Sequence, residues 1–132
     1  MATTINYAST ATVGAALLTT GDTSRTAPTT IGTIFSAASG GQVERIVVTP
    51  VATTVTSVVR IFRYDGTTYN LYVEIPISAQ TLSGSSAVTT ITLEAVTTPS
   101  LFPILVPAGW SLRATVNDTQ AGIKVQAEGG AY

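Results

Sequence analysis

The groups in this chain that could do acid–base work are seven carboxylates: Asp22, Glu44, Asp65, Glu74, Glu94, Asp118 and Glu128. Hydroxyls and five tyrosines stand beside them, but histidine and cysteine are both absent. That absence removes Ser-His-Asp and Cys-His pairs, thiolate zinc sites and the commonest general base at neutral pH. A glycosidase needs two carboxyl groups about 5 to 10 Å apart across a cleft, and nothing in the spacing of these seven suggests such a pair. Asp65 and Asp118 fall in expected turns, where Asp bonds its own backbone. Calcium wants clustered oxygen ligands, and Asn117-Asp118 is the nearest approach to a cluster. The glycine pairs Gly40-Gly41 and Gly129-Gly130 open no helix, so neither cradles a phosphate. The expectation is a protein that is not an enzyme and holds no cofactor or metal.

The aromatic residues offer a different chemistry. Tyr64, Tyr69 and Tyr72 crowd one short stretch, with Trp110 elsewhere. Stacked on a sugar ring, the three tyrosines would be the ligand site of a glycan- or receptor-binding β-sandwich. The structural use of the same residues is cross-strand pairing and core filling. Trp110 continues the alternating Leu112, Ala114 and Val116, which places it in the core.

These residues must be carried by strands. Of 132 residues, 45% are apolar and only 10% charged, against roughly 25% charged in an ordinary domain. Threonine supplies close to a fifth of the chain, and β-branched Thr and Val favour strands over helices. Strand signals recur at spacings near ten residues: 31–37, 42–50, 55–64, 69–77, 87–96, 101–106, 110–116 and 123–128, with 15–19 a possible first strand. Between Gln42 and Pro50 the alternation puts Val43, Arg45, Val47 and Thr49 on one face. Asp65-Gly66 between two β-rich runs signals a hairpin with a type I′ turn. Residues 19–30 read as loop. Together these features predict an all-β, single-domain β-sandwich of about eight strands, jelly-roll-like, over residues 13–132.

Residues 1–12 read as an extended N-terminal arm. It is poor in bulk, with Ile5 and Tyr7 as anchors among small side chains such as Thr3. The net charge of −1 comes from scattered residues. There is thus no basic run to hold nucleic acid, and a sparsely charged surface offers little resistance to self-association. No apolar stretch approaches the roughly 20 residues of a membrane span, and no signal-peptide pattern opens the chain. Synthesis in the cytoplasm without a signal peptide is expected, with no membrane partner.

The last third of the chain carries a resemblance. The run from Leu105 to Val116 (LVPAGWSLRATV) and the ending from Val125 to Tyr132 (VQAEGGAY) resemble the ending of small virion proteins of tailed bacteriophages. Those are head or decoration (cement) proteins, often jelly-roll-like. The resemblance implies a place on the capsid surface in the virion, with the major capsid protein as partner. It also implies clustering with the chain's own copies, trimers foremost. The resemblance identifies no functional residue; the composition of the arm separately marks Thr3, Ile5 and Tyr7 as the expected capsid-binding set. The alternative is a glycan- or receptor-binding module of a phage tail or adhesin that uses Tyr64, Tyr69 and Tyr72.

Overall fold

Runs of Val, Ile and Thr become strands nearly wherever the sequence places them. The computed structural model describes residues 10–94 and 96–132. Its strands are β1 (Thr10–Leu18), β2 (Gly32–Ser36), β3 (Gly41–Pro50), β4 (Ser57–Tyr64), β5 (Tyr69–Ile77), β6 (Ile91–Glu94), β7 (Ile104–Val106), β8 (Ser111–Val116) and β9 (Ile123–Ala131). No helix occurs among the described residues. Sheet A has the order β1-β9-β3-β6, with β7 also paired to β3, and sheet B the order β2-β8-β4-β5. All ladders between these strands are antiparallel.

The pairing joins strands that lie far apart in the chain. The first strand pairs with the last (β1–β9), β2 with β8, β3 with β6 and β7, and β4 with β5. Contacts β3–β9 and β4–β8 then join these pairs into two sheets. The core lies between the sheets. Its fully covered members include Ile46, Val59, Ile61, Leu112, Ala114, Val116, Ile123, Val125 and Ala127. Each large aliphatic side chain removed from water contributes about 1.5–3 kcal/mol. On one side the sheets meet along β1 and β2, where Gly14 lies against the Ile34 backbone and Gly32 against the side chains of Ala16 and Leu18.

Four details depart from the sequence reading. Thr10, Ala11 and Thr12, read as the end of the arm, pair with Ala131, Gly130 and Gly129 and so begin β1. Val43 faces the core with Ile46 and Val48, rather than outward with Arg45 and Val47. The cause is a bulge between Val43 and Arg45 that turns both Glu44 and Arg45 to solvent. An extra residue on one strand shifts the alternation by one. The β4–β5 hairpin is present, but its turn is not type I′. The connection is four residues long, Gly66 (φ 100°) has positive φ and Asp65 does not. The Asp65 carboxylate instead accepts N–H bonds from Thr67 and Thr68 at 2.9 and 2.8 Å. Trp110, finally, is only half-buried, at the rim of the core.

Candidate functional site

The arm residues Thr3, Ile5 and Tyr7 lie outside the described residues. The three tyrosines do not form one platform. In β4, Ile61 and Arg63 share the inward face with Ala114 and Leu112 of β8, whereas Phe62 and Tyr64 share the outward face with Arg113 and Ser111. Tyr64 and Tyr69 are directly opposed across the hairpin, with ring centroids 4.3 Å apart and planes 30° from parallel. The Arg113 guanidinium lies 4.1 Å from the Tyr64 ring centre and donates to the Tyr69 hydroxyl at 2.9 Å. Tyr64 is therefore engaged by Tyr69 and by Arg113. Tyr72 belongs to a separate group at the end of the core. Its hydroxyl donates to the Leu101 carbonyl, and Arg63 lies over both Tyr72 and Trp110 at 5.5 and 5.8 Å. The hairpin tyrosines thus act as a cross-strand pair and a core cap, each with an arginine over its ring.

The outer face of sheet B is covered in part by the chain itself, around Arg60, while Leu71, Glu74 and Pro76 on the outward side of β5 stay exposed. Arg60 and Phe62 point outward from β4, yet they are 2% and 0% exposed. Residues 19–31 cross here. The Asp22 amide donates to the Val116 carbonyl, Arg60 donates to the Asp22 carbonyl, and Arg25 pairs with Glu74. Glu74 also binds Arg60 at 3.1 Å, and Asn117 accepts from the same guanidinium at 2.9 Å. Burial works to raise the Asp22 pKa, but N–H bonds from Thr30, Ser24 and Thr29 outweigh it and hold the carboxylate below its ordinary 3.8. Hydrogen bonds from Arg25 and Arg60 likewise hold Glu74 below 4.5.

Groups whose folded pKa is depressed stabilise fully above the unfolded value, and that stability is lost as pH falls through the folded one. The covering segment should therefore be insensitive to pH from neutrality down to the ordinary carboxylate range. It should loosen below that range, before the core melts. Hydrogen exchange, corrected for intrinsic rates, should show the amides of Ser24, Thr29 and Thr30 losing protection in acid while those of β4 keep theirs. Equal acid protection in both segments would refute this.

Among the described residues, nothing covers the outer face of sheet A in this way. Ala11, Val13, Ala15 and Leu17 of β1 are all exposed, Val13 by 65% and Leu17 by 54%. Cross-strand register sets three rows across the sheet: Val13–Glu128–Arg45, Ala15–Gln126–Val47 and Leu17–Lys124–Thr49. At the first row a groove of about 600 Å³ is lined by Val13, Glu44, Arg45, Glu94, Glu128 and Val96, among others. Arg45 donates to Glu128 at 2.8 Å through Nε and reaches Glu94 at 3.9 Å. The hydrogen bond to Glu128 raises the arginine's pKa. Three acids against one base leave this end of the face negative. Sequence reasoning missed the grouping because it depends on the register of β1, β9 and β3, which are distant in the chain. The outward positions Lys124, Gln126 and Glu128 were legible from alternation alone.

No protein-family model matches this chain, and no curated protein matches it.

Proposed function

We propose that this protein is a non-catalytic structural component of a virion, a decoration protein that binds the major capsid shell and its own copies on the capsid surface. One observation carries the proposal: the two outer faces of the sandwich are treated differently. Sheet B is covered around Arg60 by residues 19–31 of the same chain, while among the described residues sheet A presents an uncharged, small and apolar β1 beside a largely polar centre. A long, unblunted apolar edge strand is a liability in a free monomer. It is suited to a molecule whose surface is taken up by neighbours.

The first strand pairs with the last and the second with the next to last, an order we read as jelly-roll-like, and this reading is in keeping with the resemblance in the C-terminal third. Attachment to the shell is assigned to the arm, through Thr3, Ile5 and Tyr7. The arm enters the sandwich at Thr10, beside the exposed β1 column. Neither nucleic acid nor membrane has a part in this function.

The proposal is tested by mixing the purified protein with shells that lack it and sedimenting them. Saturable co-sedimentation at a fixed ratio to the major capsid protein is expected. Protein left wholly in the supernatant at micromolar concentration would sink the assignment.

A further inference from the structure

The charge pattern on the outer face of sheet A reverses end to end. Along β9 the outward residues run Lys124, Gln126, Glu128, positive to neutral to negative. Beside them on β1 run Leu17, Ala15 and Val13, and on β3 run Thr49, Val47 and Arg45. The Gln126 row, with Ala15 and Val47, is the uncharged middle. Strand rise puts the two charged rows about 13 Å apart.

We infer that this face packs on the same face of a second copy about a two-fold axis through the Ala15–Gln126–Val47 row. A two-fold contact is self-complementary, so residue i meets j and j meets i. With the axis along that row, Lys124 of each copy meets the Glu128 row of the other and enters the acidic groove there. That groove holds Glu44, Glu94 and Glu128 against Arg45 alone, so an added cation is favourable. Leu17 lies over the second copy's Val13, and Ala15 over Ala15, which covers the exposed apolar column of β1. In the opposite, parallel superposition Glu128 would meet Glu128 and Lys124 would meet Lys124. The pattern thus selects the antiparallel arrangement. This rests on the self-assembly proposed above and names its contact, a two-fold one in place of the trimer that the phage resemblance implies.

The chain has no cysteine, so one introduced thiol reports a single position. Facing sheets stand about 10 Å apart, beyond the reach of a disulfide but within that of a short bis-maleimide. Ala15→Cys, on the axis, should crosslink to a covalent dimer in high yield, and Thr67→Cys, on the hairpin loop, should not. Lys124→Glu in the Ala15→Cys background should weaken the dimer about tenfold or more, since each change acts twice. Adding Glu128→Lys should restore crosslinking by reversing both contacts together. Two results overturn the inference: Ala15→Cys crosslinking no better than Thr67→Cys, or failure of the double charge reversal to rescue. If the protein then still sediments as a trimer or binds shells, assembly stands and only this contact is wrong. A monomer that neither crosslinks nor binds shells removes both.

Discussion

Replacing Gly14 by alanine should destabilise the protein by about 3 kcal/mol or more, at the upper end of what overpacking costs. A Cβ on Gly14 would stand 1.9 Å from the Ile34 carbonyl oxygen and 2.7 Å from its carbon. Both are backbone atoms of β2, so no side-chain rotation relieves the clash. Either β1 leaves β9 or β2 leaves β8, and each is held by its own ladder. Two smaller effects run the other way: alanine restricts the unfolded chain and so gains roughly 0.4–1 kcal/mol, and it suits a strand better than glycine. The clash outweighs both. Gly84→Ala is the control, because nothing lies within 4 Å of its Cβ position and its effect should be close to neutral. Urea denaturation measures the two side by side. Equal stability of Gly14→Ala and the parent would mean that the sheets do not meet at β1 and β2 as described.

Removing residues 2–9 should leave the melting temperature nearly unchanged and lower binding to undecorated shells by about tenfold or more, the scale of a lost anchor pair. The deletion stops short of Thr10 because Thr10 to Thr12 complete the β1–β9 ladder, and removing them would confuse folding with attachment. Ile5 and Tyr7 are the only large side chains between Met1 and Thr10. Burying each contributes about 1.5–3 kcal/mol, whereas ordering the backbone costs roughly 1–2 kcal/mol per residue. Strand hydrogen bonds to a partner edge must supply the difference. A single arm therefore binds modestly, and many copies on one shell make attachment durable. Normal shell binding by the truncated, folded protein would place attachment on the sandwich and remove Thr3, Ile5 and Tyr7 from that role.

Much of the fold was legible because alternation is a local property. The β8 face of Leu112, Ala114 and Val116 and the β9 face of Ile123, Val125 and Ala127 follow directly from period-two burial, and all six are fully buried. Where reading failed, either a non-local partner or a local side-chain bond had intervened. The bulge at Glu44 falls where β3 passes from pairing with β7, up to Val43, to pairing with β6, from Arg45, and no alternation within residues 41–50 reveals it. The hairpin turn was misjudged because Asp65 satisfies the loop with its carboxylate, so Gly66 alone needs positive φ. Trp110 follows its strand's pattern but lies just beyond the end of β8, where Arg63 and the rim replace the core. The candidate interface was the least legible part. Its acids and its apolar column come from β1, β3, β6 and β9, and only register brings them together. Coverage of sheet B by residues 19–31 gave no sequence signal beyond a loop composition, although Asp22 organises that loop through three backbone N–H groups.

The most direct test of the central claim is a cryo-electron microscopy reconstruction of the particle that carries this protein. A two-sheet β-sandwich should be found on the outside of the capsid, repeated at many equivalent positions, with the start of β1 directed at the major capsid protein. Density for this chain confined to the tail tip, with a bare capsid exterior, would contradict it.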